Sequence, residues 1–169
     1  MCSMNLNTQT WALPAARTRY NLEMPGEITI RQYQDSDQAS VAKLWTTVFP
    51  DDPPWNSPSE LISRKQKAQP ELFWIAQQDG EIVGTILAGY DGVRGWIYHL
   101  AVDPAQRRKG TARLLMQTAE ASLEALGCPK INLQVRLYNR AAVAFYQALG
   151  YGIEERVQMG KPIGKFRRS

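Results

Sequence analysis

Residues 102 to 115 read VDPAQRRKGTARLL, and this stretch decides how the fold is interpreted. It joins a strand-like apolar run to an apolar pattern of helical period. Arg107, Arg108 and Lys109 directly precede Gly110, and Arg113 follows one helical turn later. A surface turn does not need so many cations for solubility, so the junction predicts an anionic ligand.

The start of the predicted helix suits a phosphate on physical grounds. The first amides of a helix lack intrahelical partners, and the helix dipole is positive at this end. Gly110 lets the backbone approach a ligand closely. The stretch is not a Walker loop, which needs GxxxxGK followed by Ser or Thr, nor the GxGxxG of a dinucleotide-binding fold. The residues therefore predict a phosphate site of another kind.

The segments before the loop predict an antiparallel meander. LFWIAQQ and EIVGTILAGY are joined by Asp79 and Gly80, a strong hairpin signal, and a second turn leads to GWIYHLAV. Upstream, ITIRQY alternates as a strand and Asp37 can cap a helix. The loop DDPPWNSP follows, and Ser57 can cap a short helix through Lys67.

The segments after the loop return to a helical period. Apolar residues at steps of three and four continue from Ala112, and Gly127 can end this helix. INLQV then alternates as a strand. Asn139 can cap a last helix that carries Tyr146 on its apolar face and that Gly150 ends.

Length and composition bound the class of protein. The chain has 169 residues, 44% of them hydrophobic, which suits one globular domain. We expect residues 1–26 to form a poorly ordered extension and residues 27–169 to fold, ending in a short basic tail. Two cysteines give no spacing for disulfides or zinc, and no metal is expected. Without a membrane-length apolar segment or a signal peptide, the sequence predicts a cytoplasmic protein with no membrane partner.

A net charge of +4 raises the question of nucleic acid. Cations near the end of the chain equal that excess by themselves and suit a solvated tail: Lys161, Lys165, Arg167 and Arg168. The aromatic residues do not interleave with cations as stacking platforms would. We therefore expect no nucleic-acid partner.

Two motifs resemble those of the GCN5-related N-acetyltransferase (GNAT) family. Its pyrophosphate loop has Arg or Gln, two residues, Gly, one residue, then Gly or Ala, which Arg107, Gly110 and Ala112 match. NRAAVAFYQALGY looks like the family's second acetyl-CoA motif, with Asn139 and Tyr146 in the matching places.

The resemblance covers roughly residues 27–160 and implies a fold, an activity and a ligand. The fold would be a single GNAT-like α/β domain with a mixed, mostly antiparallel central sheet flanked by helices. The activity would be transfer of an acetyl group from acetyl-CoA, the co-substrate, to a primary amine by direct attack on the thioester. PWNSP and GYDGVRGW look like a bacterial subgroup of mostly uncharacterised members, which leaves the amine open.

The resemblance also assigns residues to acetyl-CoA. Main-chain groups of Leu100 and Val102 would pair with the pantetheine arm, and an N–H near Leu100 or Ala101 would stabilise the oxyanion. The amides from Arg108 to Arg113 would hold the pyrophosphate. The expected cofactor-binding residues are Leu100, Ala101, Val102, Arg107, Arg108, Lys109, Gly110, Thr111, Ala112, Arg113, Asn139 and Tyr146.

The implied reaction includes two proton transfers, one to the departing thiolate and one from the attacking amine. Each needs a side chain or a bound water to carry it. A tyrosine hydroxyl with a pKa of about 10 can protonate a departing thiolate of about 8.5, and Tyr146 stands in the family's position for this acid. The amine must lose a proton before it attacks, and we expect a bound water relayed by Asp91 to take it. His99, the only histidine, is expected to point away from the cleft because of strand alternation. The residues expected on the face opposite to His99 are Trp96, Tyr98, Leu100 and Val102.

The acceptor side is expected to suit a small amino-acid-like amine. By resemblance, Trp55 and Asn56 wall the acceptor cleft. Asp91 offers a carboxylate for an ammonium group and Arg94 a guanidinium for an acid group, unless both only form a turn. The expected substrate-binding residues are Trp55, Asn56, Arg94, Trp96 and Tyr98.

Several alternatives stay open. VRLYN also resembles ribosomal-protein acetyltransferases, so a protein N-terminus or a lysine is the chief rival acceptor. A catalytically silent acyl-CoA-binding module would keep the phosphate loop but need no acid. The sequence leaves open whether the protein forms a homodimer.

Overall fold

The structure is a computed structural model that describes residues 26–167. The expected poorly ordered extension falls almost entirely on residues 1–25, which lie outside the described residues, so that expectation stays a prediction. The end of the basic tail, residues 168–169, lies outside them as well.

Residues 26–167 form one α/β domain with five strands and four α-helices. The strands are β1 (Thr29–Gln32), β2 (Phe73–Gln78), β3 (Glu81–Tyr90), β4 (Gly95–Val102) and β5 (Ile131–Leu133). The helices are α1 (Gln38–Val48), α2 (Pro58–Lys67), α3 (Thr111–Ala125) and α4 (Arg140–Gln147). The strands lie in the order β1-β2-β3-β4-β5, antiparallel except for the parallel pair β4 and β5. The expected mixed, mostly antiparallel sheet flanked by helices is therefore confirmed.

Each face of the sheet is covered by a long helix. On one face α3 buries Leu115, Met116 and Leu123 completely, and on the other α1 buries Val41 and Trp45. Burying one side chain of this size contributes about 1.5–3 kcal/mol, so these two clusters supply most of the driving force. The sheet is thus held between helices, and its strand ends are left for the site.

One polar bond fixes α1 on the sheet. Trp45 Nε1 donates to Thr85 Oγ1 over 2.8 Å, and both side chains are buried. The indole N–H and the hydroxyl would each cost free energy if buried without a partner. The bond therefore sets the position of α1 along β3.

A β-bulge in β4 changes which side chains face which helix. Thr85 pairs with Ala101 and Leu87 pairs with Tyr98, so two residues of β4, His99 and Leu100, stand opposite one residue of β3. His99 adopts a left-handed backbone conformation, with φ of 45°. An extra residue shifts the alternation of every side chain that follows it.

The bulge makes the expected alternation wrong. Leu100 and Val102 pack against the α3 cluster, together with Ile97. Tyr98 lies across from Leu87, a member of the α1 cluster, and the His99 ring packs on α1. His99 therefore shares the α1 face with Tyr98, and Leu100 and Val102 lie on the opposite face.

Local signals placed the other elements closely. The hairpin at Asp79 and Gly80 and the ends of α3 and α4 lie where predicted, and Asn139 Oδ1 accepts from Ala142 N over 3.1 Å as a cap. Asp37 precedes α1 but does not cap it with its side chain, because its carboxylate pairs with Arg31 over 2.7 Å. Strand β5 is three residues long, shorter than the predicted INLQV.

Candidate active site

The loop between β4 and α3 offers a row of open amides. Arg108 and Gly110 both adopt left-handed conformations, with φ of 63° and 87°. Within residues 26–167, no amide from Arg108 to Arg113 donates a hydrogen bond, and the first bond of the helix is Leu114 N to Gly110 O. Such a run of free N–H groups at a helix N-terminus is an anion-binding arrangement.

Four cationic side chains lie around these amides, and none of them forms a salt bridge within the described part of the chain. Arg107, Arg108 and Arg113 are exposed. The Lys109 ammonium donates to Gln106 Oε1 over 2.7 Å. The loop therefore presents positive charge and free donors to the same ligand.

Thr111 adds a feature that the sequence did not indicate. Its side chain is 1% exposed at the start of α3, and Oγ1 has no hydrogen-bond partner in the described part of the chain. Its methyl group lies beside Gly84, where an added Cβ would come within 3.1 Å. Gly84 thus lets the start of α3 approach the sheet closely.

Strands β4 and β5 separate at the bulge. They pair only from Gly95 with Ile131 to Ile97 with Leu133, after which β5 ends. The edge of β4 from Tyr98 to Val102 that faces β5 is therefore unpaired, although β3 still pairs with the other edge. The main chain of Leu100, Ala101 and Val102 is thus open to an extended ligand, next to the amide row.

Tyr146 borders the same side of the sheet. It packs against the α3 cluster together with Leu100 and Val102, and its ring lies 5.8 Å from that of Tyr151. Burial raises the pKa of Tyr146 to about 12, so its hydroxyl stays protonated at neutral pH. Tyr146 therefore carries a proton at neutral pH but is a weaker acid than an unburied tyrosine, because burial disfavours its phenolate.

The acceptor-side residues divide into two groups. Trp96 and Tyr98 stack with ring centroids 6.3 Å apart, and Tyr98 is 48% exposed beside the bulge. Asn56 reaches the same region through a 3.4 Å contact with Asp52. Trp55 instead packs edge-on against Phe166, with centroids 6.1 Å apart. Trp96 and Tyr98 thus lie together, Asn56 is linked to the bulge through Asp52, and Trp55 is turned towards the C-terminal segment.

Asp91 and Arg94 lie at the far end of β4. The Asp91 carboxylate accepts from the backbone N–H groups of Val93 and Arg94 at 2.8 and 2.7 Å, which hold its pKa below the ordinary value. Four residues of strand separate this turn from His99, roughly 13 Å. Asp91 is therefore built into the hairpin turn and is distant from the bulge, so it is poorly placed for the base role expected of it.

A charged cluster that the sequence did not indicate lies at the bulge. His99 Nε2 and Asp52 Oδ2 are 2.8 Å apart, and Arg136 Nη2 donates to Asp52 Oδ1 over 3.3 Å. Asp52 is 47 residues from His99 in the sequence, in the loop between α1 and α2. The cluster depends on the fold, so no local pattern could have revealed it.

Lys65 is a second residue that sequence reasoning missed. Its ammonium group donates to Ala88 O over 2.6 Å, and burial lowers its pKa to about 8. The side chain links α2 to the end of β3 that carries the β3–β4 turn.

Two other features are absent from residues 26–167. Every helix there is too short or too polar to span a bilayer, and these residues contain no cluster of three potential metal ligands.

The last two strands of the described sheet, β4 and β5, diverge beside a row of free amides at a helix N-terminus, which is the arrangement expected for an acetyltransferase that binds acetyl-CoA. The chain belongs to the Acetyltransferase (GNAT) family, whose model matches residues 38–151. The predicted family and enzyme class are therefore confirmed.

Known proteins agree with this assignment. A protein of Yersinia enterocolitica named acetyltransferase is 42% identical over 134 residues, which cover 78% of this chain and 93% of that protein. An acetyltransferase of Pectobacterium atrosepticum is 41% identical over the same share of each chain.

Solved structures of low identity share the fold. An aminoglycoside N-acetyltransferase in complex with CoA matches with a TM-score of 0.68 at 20% identity, covering 83% of this chain and 98% of that one. The ribosomal-protein-S18-alanine N-acetyltransferase of Escherichia coli matches with a TM-score of 0.67 at 23% identity, covering 83% and 88%. These two likenesses extend the family assignment to the arrangement of strands and helices.

Proposed function

We propose that this acetyltransferase transfers the acetyl group of acetyl-CoA to a primary amine, with a small amino-acid-like amine as the acceptor. The observation that carries the proposal is the row of six free amides from Arg108 to Arg113 beside the unpaired edge of β4. A pyrophosphate suits the amides and cations, and an amide-bearing pantetheine arm suits the strand edge. The residues present therefore fit acetyl-CoA.

The proposed reaction is a single transfer. The amine nitrogen bonds to the thioester carbonyl carbon, the C–S bond then breaks, and the sulfur leaves as a thiolate. A backbone N–H of Leu100 or Ala101 stabilises the oxyanion that forms in between. Tyr146 gives its hydroxyl proton to the thiolate, and its phenolate regains a proton from solvent or from the protonated base. No other reactant is needed.

Charge at the acceptor side supports an amino-acid-like amine. The two backbone N–H groups of the turn both bond to Oδ1 of Asp91, at the far end of the Trp96 and Tyr98 wall, and the Arg94 side chain is exposed beside it. A carboxylate can hold an ammonium group and a guanidinium a carboxylate group of the same small molecule. The two aromatic rings between that turn and the bulge can cover an aliphatic chain.

A protein or peptide N-terminus is the second candidate acceptor. Leu137 is 98% exposed and Tyr138 74% exposed in the loop that follows β5, next to the opening between β4 and β5. Exposed apolar side chains at the edge of a cleft suit a peptide better than a small polar amine. The ribosomal-protein neighbour acts on a protein alanine, which makes this candidate worth testing.

One screen tests both acceptors. Purified protein is incubated with acetyl-CoA and either small amines, each with and without a carboxylate, or peptides with free N-termini, and free thiol is measured. We expect release with the carboxylated small amines. Release only with peptides would favour the second candidate. Binding of acetyl-CoA without release for any amine would indicate the silent acyl-CoA-binding module.

A further inference from the structure

We propose that His99 is the general base that takes the proton from the attacking amine, and that Asp52 holds its ring in position. The proposal rests on the transfer reaction proposed above. In this proposal His99 takes the role of base that the sequence analysis assigned to Asp91. The β4 bulge places His99 on the α1 face of the sheet, the face that also carries Tyr98. The contacts of the ring, its protonation state and its place beside the open strand edge support it.

The His99 ring is held on several sides. Its centroid lies 5.0 Å from that of Trp45 and 4.9 Å from that of Phe49, both contributed by or next to α1. The side chain is 12% exposed, and Nε2 lies 2.8 Å from Asp52 Oδ2. A ring with one edge bonded and its faces packed has one orientation, as a catalytic base requires.

The bond to Asp52 decides which nitrogen is free. An ionised carboxylate can only accept, so Nε2 carries the hydrogen and Nδ1 keeps its lone pair. Burial lowers the pKa of His99 below its ordinary 6.5, although Asp52 acts in the opposite direction. At neutral pH the ring is therefore uncharged, with Nδ1 ready to accept a proton.

Asp52 is itself held by two other side chains, one from its own loop and one from the segment after β5. Arg136 Nη2 donates to Asp52 Oδ1 and to the carbonyl of Asp51, each over 3.3 Å. Asn56 Nδ2 lies 3.4 Å from Asp52 Oδ2. Arg136 follows β5, so these contacts connect the loop before α2 to the far side of the opening. Asp52 acts through His99 and is a positioning residue.

The position of His99 in the strand places the base beside the reaction. One of the next two residues, Leu100 or Ala101, carries the N–H assigned to the oxyanion, in the segment of β4 that β5 leaves unpaired. Tyr146 packs towards the opposite face with Leu100. The base and the acid therefore approach the same strand segment from the two faces of the sheet. When the C–N bond forms, the nitrogen becomes acidic and its proton passes to Nδ1.

The test uses two variants and one matched control. His99→Gln keeps a donor for Asp52 and removes the basic nitrogen, and Asp52→Asn removes the charge that orients the ring. Asp51→Asn removes a neighbouring charge from the same loop, where only the backbone carbonyl of Asp51 makes a hydrogen bond within residues 26–167. All three are measured for melting temperature, acetyl-CoA affinity, kcat and KM on one working amine.

We expect kcat of His99→Gln to fall by about 10² to 10⁴, with acetyl-CoA affinity unchanged. For Asp52→Asn we expect a fall of about 10- to 100-fold, the worth of one hydrogen bond to a charged group. The Asp51→Asn control should stay within threefold of the wild type. If His99→Gln fails to fold, Asp52→Asn still decides the outcome.

A second readout does not depend on turnover. Because the chain has one histidine, untagged protein gives a single imidazole signal by NMR. The charged groups that face it are Asp52, from the loop after α1, and Arg136 behind that carboxylate, whereas α1 contributes aromatic rings. The signal should titrate below 6.5, lower still in Asp52→Asn, and unchanged in Asp51→Asn. The acid limb of kcat should follow it.

The outcomes separate the two proposals. An active wild type with His99→Gln within threefold of it would refute the base and leave the transfer reaction standing. A histidine signal that Asp52→Asn does not move would refute the positioning role. A wild type that binds acetyl-CoA but acetylates no amine would refute the transfer reaction and the base with it.

Discussion

Gly110 offers the sharpest test of the amide row, since its replacement by Ala changes backbone preference and almost nothing else. An added Cβ would meet no atom within 4 Å, so packing is unaffected. The residue has φ of 87°, in the left-handed region that costs a non-glycine residue roughly 1–2 kcal/mol. Gly110→Ala should therefore destabilise the fold by up to about that amount, and by less if the loop relaxes to a negative φ, so the melting temperature should fall by at most roughly 8 °C.

The same strain predicts a loss of affinity. The variant relieves the strain if φ of residue 110 turns negative. The N–H groups around this residue then no longer point towards the same ligand. Restoring the binding conformation then costs about 1–2 kcal/mol, so the Kd for acetyl-CoA should rise about 5- to 30-fold. Isothermal titration calorimetry measures this directly.

Gly92 supplies the matched control. It also has φ of 87° and open space around an added Cβ, but it lies in the turn before β4, at the opposite end of that strand from the amide row. Gly92→Ala should lose similar stability and keep its affinity for acetyl-CoA. If Gly110→Ala loses clearly less stability than Gly92→Ala, which shows that its loop has relaxed, and still binds acetyl-CoA as tightly as the wild type, the role of the amide row is refuted.

Three further predictions concern the acid, the ligand and the packing. Tyr146→Phe should keep the fold and the acetyl-CoA affinity but lower kcat by about 10² to 10⁴, and a fully active variant in steady-state assays would exclude it as the acid. Acetyl-CoA at 100 times its Kd should stabilise the fold by about 2.7 kcal/mol in a melting experiment, whereas a shift with ATP or DNA alone would contradict the ligand assignment. Gly95→Ala should cost about 1–3 kcal/mol in urea unfolding, because the new Cβ would lie 2.8 Å from Cys128 Sγ; unchanged stability would show that the Cys128 side chain can move away.

Local signals in the sequence were enough for most of the fold. Turn residues placed the β2–β3 hairpin, a glycine with positive φ marked the start of α3, and Asn139 marked the start of α4. Each of these features depends on a few adjacent residues, so it can be read without knowing the rest of the structure. The open amide row followed from the same kind of signal.

The bulge could not be predicted in the same way. GWIYHLAV reads as one continuous strand of mostly apolar residues, and nothing within it marks His99 as the inserted residue. The extra residue is visible only against its partner strand, where Thr85 pairs with Ala101 and Leu87 with Tyr98. A bulge is thus a property of two strands, and this one reversed the predicted side of His99.

The charged cluster at the bulge was missed for a related reason. Asp51 and Asp52 are adjacent in one loop, and their sequence does not distinguish them. Folding brings Asp52 to His99 and Arg136 to Asp52, across 47 and 84 residues respectively. Asp91, the carboxylate favoured from sequence, turned out to bond with its own turn.

The most direct test of the proposed function follows the acetyl group itself. Acetyl-CoA carrying a labelled acetyl group is incubated with the protein and a carboxylated small amine, and both products are counted by mass spectrometry. We predict equal amounts of free CoA thiol and of amine bearing the label on nitrogen. Thiol release without a labelled amide, or label on the protein alone, would contradict direct transfer to a small amine.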